Sequence, residues 1–201
     1  MFITFEGGEG AGKTTQIRRL AATLAARGHP VLRTREPGGT PHAEAVRGLL
    51  LGRGGWDPMS ETLLLFAARR EHVTRLIGPA LAAGIWVLSD RFADSTMVYQ
   101  GHAQGDDRAL IATLSRATLG PVWPSLTLIL DIDPAIGVAR AVGRGDANRF
   151  EAEGLAFHRR IRAAFLEIAA AEPARCVVID ASGDDEAVAA AVLAAVESRA
   201  A

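Results

Sequence analysis

The sequence predicts a three-layer α/β/α domain built on a five-stranded parallel sheet. Five short runs rich in β-branched and apolar residues alternate with longer helical patterns. Most of those runs are continuously apolar, as befits strands covered on both faces. Gly and Pro fall between the runs rather than within them. A chain of 201 residues suits one such domain with a sizeable core and is short for two.

In chain order, "MFITFE" (1–6) is the first strand, followed by a helix over 14–27 that ends at "GHP". "VLRTRE" (31–36) is the second strand and leads to a helix over 41–51. A long helical pattern then runs from 58 to 83, where Gly84 stops it. "IWVLSD" (85–90) is the third strand, followed by a short helix over 95–100 and another over 107–119 that closes on "GP". "LTLILDI" (126–132) is the fourth, with a helix from Pro134. "RCVVID" (175–180) is the fifth, and an Ala-rich helix ends the chain. Segments 37–40, 52–58, 120–124 and 143–148 read as loops within one domain, 1–201.

Composition narrows the function classes. The formal net charge of -1 creates no field that would draw nucleic acid or an anionic membrane, and aromatic residues at 5% offer few stacking platforms. Any anion site must come from locally clustered arginines, which points to small ligands. The single cysteine, Cys176, lies in an apolar run and has no partner for a disulfide within the chain, consistent with a reducing compartment. The first residues carry Glu6 where an export signal would be apolar, and no apolar run is long enough to span a bilayer, so a cytoplasmic location is expected.

The most specific local pattern is "GGEGAGKT", Gly7 to Thr14. Gly7, four residues, then Gly12, Lys13 and Thr14 match the phosphate-binding loop, between a strand and a helix as that loop requires. Gly7, Gly8, Gly10 and Gly12, with the small Ala11, leave the backbone free to turn its N–H groups toward phosphate oxygens, aided by the positive end of the helix at Thr14 and Thr15. The fold is thus expected to be the P-loop NTPase fold. Lys13 is the only lysine in the chain. A sequence that uses arginine everywhere else keeps an ammonium where a compact point charge must fit among phosphates. The Thr14 hydroxyl is expected to ligate Mg²⁺ accompanying ATP. A switch GTPase is excluded, because its Asn-Lys-x-Asp guanine motif needs a second lysine.

"FEGGEGAGKTT" (5–15), "TREPGGT" (34–40), "FAARREH" (66–72), "SDRFADSTMVYQG" (89–101) and "NRFE" (148–151) stand in the order seen in thymidylate kinases, the bacterial dTMP kinase family, and the chain resembles that family nearly end to end. The phosphate loop is widely shared, whereas "TREPGG" and "DRF-x-DST-x-x-YQG" together are far more specific. The resemblance implies ATP and dTMP as substrates, Mg²⁺, and a homodimer. It implies that Glu9 receives the deoxyribose 3′-hydroxyl. Arg35 and Arg47 become candidates for clamping the dTMP phosphate, with Glu36 positioning them or a metal-bound water. On the long helix, Phe66 would pack on thymine and Arg69 donate to its O4. The register leaves Leu65 and Arg70 open as variants. Asp90 would hold a Mg²⁺-bound water and Arg91 face the transferring phosphates. Thr96 and Gln100 would contact the thymine edge, and Tyr99 would crowd the 2′ position.

Arg140 and Arg149 flank "GRGDAN" and Arg144 lies within it, a stretch that reads as a lid over about 141–150. With Glu9, Gly10 and Ala11 in the phosphate loop, the chain resembles the branch whose catalytic arginine arrives from the lid, so Arg144 and Arg149 join Lys13 and Arg91 as catalytic candidates. The predicted reaction is transfer of the γ-phosphoryl group of ATP to dTMP, giving dTDP and ADP. No catalytic base is needed, because the acceptor oxygen is already anionic. The competing readings are a kinase for UMP or dCMP and an ATP-gated regulator without transfer. Intact Lys13, Thr14, Asp90 and Arg91 speak against the second.

Overall fold

A computed structural model describes residues 1–52, 55–143 and 153–200. Strands β1 (Phe2–Glu6), β2 (Val31–Arg35), β3 (Trp86–Asp90), β4 (Leu126–Asp131) and β5 (Cys176–Asp180) form one parallel sheet in the order β2-β3-β1-β4-β5. All five predicted strands are present. The helices are α1 (Lys13–Ala26), α2 (Pro41–Leu51), α3 (Pro58–His72), α4 (Gly78–Ala82), α5 (Ala93–Thr96), α6 (Arg108–Leu119), α7 (Pro134–Val142), α8 (Leu155–Ala171) and α9 (Asp185–Ala200).

The period-2 alternation of side chains sorts the core into two layers. Ile3, Phe5, Leu126, Leu128 and Leu130 pack on Ile17, Leu20 and Leu24 of α1 and on Val188, Val192 and Val196 of α9. On the other face, Phe2 and Val87 meet Val73, Ile77 and Ala80, while Ile129 meets Ile161 and Phe165 of α8. Each such fully buried side chain contributes about 1.5–3 kcal/mol, and the central strands β1 and β4 are continuously apolar or buried because both faces are covered. The edge strands β2 and β5 are only partly buried.

Helix starts follow the local sequence. Thr40, Asp57 and Asp133 each precede a proline and accept a backbone N–H of the first turn, from Ala43, Ser60 and Ala135. Three stretches differ from expectation. The pattern over 58–83 is α3, then a π-helical turn (Val73–Ile77), then α4, and the Gly78 N–H reaches back five residues to the Val73 carbonyl. Pro79 has no N–H to offer the regular ladder, so the register shifts ahead of it. The short helix expected over 95–100 is α5 continued as a π-helical turn (Met97–Ala103) that bears Tyr99 and Gln100. The stretch after Pro134 holds a separate helix, α8, that its Ala-rich, Gly-interrupted composition did not set apart. No described helix is long and apolar enough to cross a membrane.

From β1 the chain crosses to β2 at one side of the sheet and later to β4 at the other. The crevice beyond the carboxyl ends of β1 and β3 therefore lies at the reversal of strand order, where open α/β sheets bind ligands. The loop after β1 is pressed against α7 backbone to backbone. Gly10 has φ 70°, and a β-carbon on it would land on the Gly137 carbonyl, while one on Gly137 would press on the Glu9 carbonyl. Gly137→Ala should therefore cost about 1–3 kcal/mol by overpacking, because the loop must move. Gly48→Ala, inside α2 and facing open space, should instead stabilise by about 0.5–1 kcal/mol. Thermal unfolding of the two variants checks the contrast.

Candidate active site

A cavity of about 1290 Å³ opens at the carboxyl ends of β1, β2 and β3. Glu9, Gly10, Ala11, Gly12, Lys13, Thr14 and Thr15 line it on the loop side. Arg35, Glu36, Arg47, Arg69, Asp90, Arg91, Thr96, Tyr99 and Gln100 line the rest. Gly7 and Gly8 face a small hollow on the other side of the loop, against β4, α7 and α8. Phe66 is buried and stands away from the cavity wall, whereas Leu65 is part of it. Arg144 and Arg149 lie outside the described residues, as does most of the 141–150 segment, and Arg140 donates to the Ala181 carbonyl at 3.2 Å.

The loop folds around its lysine. Gly7 (φ 131°) and Gly12 (φ 85°) take conformations that side chains disfavour, and Lys13 is the first residue of α1. Its Nζ donates to the carbonyls of Gly7 (3.2 Å) and Gly8 (2.8 Å). Burial, and then the nearby positive charge of Arg91, lowers its pKa. Beside it, the Thr14 hydroxyl donates to Asp90 Oδ2 at 2.7 Å. Two adjacent hard oxygen donors at the mouth of a phosphate loop suit Mg²⁺, which takes few protein ligands and completes its shell with water and phosphate oxygens. Among the described residues no group of three or more His, Cys, Asp or Glu side chains could hold a metal.

Arg91 joins the loop to the rest of the cavity. It has a left-handed backbone, φ 66°. Its guanidinium donates to the Gly7 carbonyl (3.2 Å), to Ser95 Oγ (3.1 Å) and to Glu9 Oε1 (2.7 Å), and lies 4.9 Å from the centre of the Tyr99 ring. Tyr99 also donates to Glu9 Oε1 at 3.0 Å. Burial works to raise the Glu9 pKa, but the charges of Arg91 and Lys13 outweigh it and lower it to about 2. Glu6, at the end of β1, accepts from the Phe92 N–H (2.8 Å) and the Ser95 hydroxyl (2.6 Å), and so fastens the turn that presents Arg91. Burial, and then the charge of Asp94, raises its pKa to about 8.

At the far end, Arg35 donates to both oxygens of Glu44 (3.2 and 3.1 Å), and Arg47 donates to the Pro37 carbonyl at 2.7 Å. Burial, and then the like charge of Arg35, lowers the Arg47 pKa. Glu36 does not position this pair. Its Oε2 takes the Nε–H of Arg69 (2.7 Å) and its Oε1 meets Nδ1 of His72 (3.0 Å), whose Nε2 lies 2.7 Å from Thr34 Oγ1. Arg69 also donates through Nη2 to the Phe92 carbonyl (3.2 Å) and Thr96 Oγ1 (2.9 Å), over the ring of Phe66. Its Nη1 is buried and has no partner among the described residues. Arg70 points elsewhere, donating to the Thr118 carbonyl.

A thymidylate kinase family model matches residues 5–192. The chain belongs to the thymidylate kinase family. It is 58% identical over 193 residues to the thymidylate kinase of Caulobacter vibrioides, covering 95% of this chain and 93% of the relative. It is 51% identical over 201 residues to that of Magnetococcus marinus, covering 98% and 96%. The fold matches the crystal structure of thymidylate kinase from Ehrlichia chaffeensis with a TM-score of 0.81 at 40% identity, over 98% of each chain. The known reaction of the family is phosphoryl transfer from ATP to dTMP, and its members are nucleoside-monophosphate kinases.

Sequence reading missed four members of this site. Glu6, Glu61, His72 and Gly137 each contact other protein groups of the site, Glu61 also lining the cavity, and no ligand-binding motif singles them out. His72 alone carried a signal within reach. It closes "FAARREH" three residues past Arg69, on the same face of the helix, where it can share a partner with that arginine.

Glu9 gives a pH test. Its folded pKa is depressed from 4.5 to about 2, so its stabilisation is complete above pH 4.5 and is lost as the pH falls toward 2. Urea denaturation at several pH values should show Glu9→Gln less stable than the parent by about 3 kcal/mol above pH 5, with the gap closing by pH 2.

Proposed function

We propose that this chain binds ATP on the phosphate loop and dTMP in the opposite part of the cavity, and moves the γ-phosphoryl group between them. The observation that carries the dTMP assignment is Arg69 Nη1. A buried guanidinium N–H without a partner costs about 1–3 kcal/mol, and this one belongs to a residue that lines the cavity, where the O4 carbonyl of thymine would satisfy it. Leu65 on the cavity wall is then the side chain that packs on the base, and Phe66 supports Arg69 from behind.

In this reading Lys13 exchanges the carbonyls of Gly7 and Gly8 for phosphate oxygens, while the loop N–H groups hold the chain of phosphates. Thr14 and Asp90 would hold Mg²⁺, which when bound would supply charge neutralisation for the transferring group. Arg91 spans the two halves of the site, and Arg35 and Arg47 take the dTMP phosphate. Glu9 accepts the 3′-hydroxyl beside Tyr99, whose ring closes the 2′ side. Positioning and charge neutralisation then suffice, since the attacking phosphate oxygen needs no deprotonation. The sequence supports Arg144 and Arg149 as lid arginines in the same scheme.

Exposed Leu49 on α2 and Leu63 on α3 support a second copy of the chain as partner, and the buried thiol of Cys176, with a pKa raised to about 12 by burial, is consistent with the cytoplasm. Two measurements test the assignment. A coupled ADP-release assay over dTMP, dUMP, UMP, dCMP and CMP should rank dTMP first, and equal rates with CMP would overturn the substrate. Lys13→Ala should cut turnover by roughly 10²–10³-fold while circular dichroism shows the fold retained.

A further inference from the structure

Deeper in the cavity, Gln100 Nε2 donates to Glu61 Oε1 at 2.9 Å, and both side chains are almost fully buried. Glu61 opens α3, and Gln100 lies on the π-helical turn that follows α5. The next residue on α3 repeats the tie, since the Thr62 hydroxyl donates to Asp106 Oδ2 at 2.7 Å and the Asp106 N–H donates to the Gln100 carbonyl at 2.9 Å. The first turn of α3 therefore fixes both the backbone and the side chain of Gln100.

The chemistry of that pair has a direction. A carboxylate offers only acceptors, so the part of the Gln100 amide that meets it must be the NH₂ group, and the carbonyl Oε1 is turned away from Glu61. Thr96, one turn before Gln100, accepts from Arg69, and all four residues line the same cavity. A fixed donor, Arg69 Nη1, and a fixed acceptor, Gln100 Oε1, thus belong to one wall.

We propose that Glu61 is a specificity-determining positioning residue: by claiming the Gln100 amide N–H, it commits Oε1 to accept N3–H of a 4-oxo pyrimidine and turns away a 4-amino pyrimidine. This rests on the reading that the cavity takes a pyrimidine monophosphate. Thymine and uracil present O4 as acceptor and N3–H as donor, which complements Arg69 followed by Gln100. Cytosine presents an amino donor and a bare N3 acceptor, which places donor against donor and acceptor against acceptor.

The test is Glu61→Gln, which keeps the size of the side chain but can donate as well as accept, so that the Gln100 amide is free to flip. The ratio of kcat/KM for dTMP to that for dCMP should fall at least tenfold, chiefly through a higher KM for dTMP, with dUMP following dTMP. In the exchanged pair, Glu61→Gln with Gln100→Glu, an amide again donates to a carboxylate and an acceptor oxygen again faces the cavity. That pair should recover most of the discrimination. An unchanged ratio in the folded single variant would overturn the proposal, as would an exchanged pair no more selective than the single variant. If Glu61→Gln does not fold, the exchanged pair decides, with preference for dTMP retained or lost. A parent enzyme without preference for dTMP over dCMP would instead remove the substrate assignment itself.

Discussion

Lys13 and Arg91 are two cations buried at the mouth of one loop, and Glu9 is the anion that lets them share it. Burying one unpaired charge costs several kcal/mol, and the Lys13 pKa is lowered first by that burial and then by the like charge of Arg91. Glu9 lies within the field of both and is held ionised by them against its own burial. The salt bridge at 2.7 Å is therefore the constraint on which the site depends. Without it, the remaining hydrogen-bond partners of Arg91, the Gly7 carbonyl and the Ser95 hydroxyl, would be neutral, and its charge would be opposed only through the fields of Glu6 and Asp90. The placement also explains an acid within a loop that otherwise serves anions. Glu9 accepts from the Arg91 guanidinium and the Tyr99 hydroxyl, whereas Thr14 pairs with Asp90.

The base end is held by a different device. Arg69 is 2% exposed and anchored through two of its three nitrogens, with Glu36 behind it and His72 and Thr34 behind Glu36. The conformational freedom of a long side chain, worth up to about 2 kcal/mol, is given up on folding and not again on binding. In the proposed reading, that leaves the Nη1 group fixed in advance for a base. The two π-helical turns serve the same end. One lies directly after the helix that bears Arg69 and His72, and the other bears Tyr99 and Gln100, so the wider turn sits where side chains must be aimed rather than merely stacked.

The strands and the phosphate loop were legible because they are local properties. Continuous apolar runs require two covered faces, and Gly7, Gly10 and Gly12 with Lys13 answer to backbone geometry that any sequence must obey. Helix boundaries were less so. Pro79 broke the long helical pattern without ending it, and α8 was not resolved from the stretch that began at Pro134. At the base end, Phe66 and Leu65 are adjacent in sequence, so a rotation of one helical position decides which meets the cavity. The 3.6-residue period cannot fix that rotation until α3 has docked. Glu36 was legible as a site residue but not in its orientation, because its partners Arg69 and His72 lie more than 30 residues away. Glu6 and Glu61 were hidden for the same reason, since each is defined by the group it holds.

The division between lysine and arginine follows from these two ends. In the proposed reading Lys13 leaves one set of oxygens for another, and a compact ammonium on a flexible stem sitting between two carbonyls can do so with little rearrangement. Arg69 must not move at all. A planar guanidinium can be pinned along Nε and Nη2 while Nη1 keeps its hydrogens unshared among the described residues, which an ammonium with three equivalent hydrogens cannot reproduce. Exchanging the two residue types would thus damage the site in opposite ways: an arginine at 13 would overfill the loop, and a lysine at 69 would leave Glu36 and Thr96 without the fork that orients them.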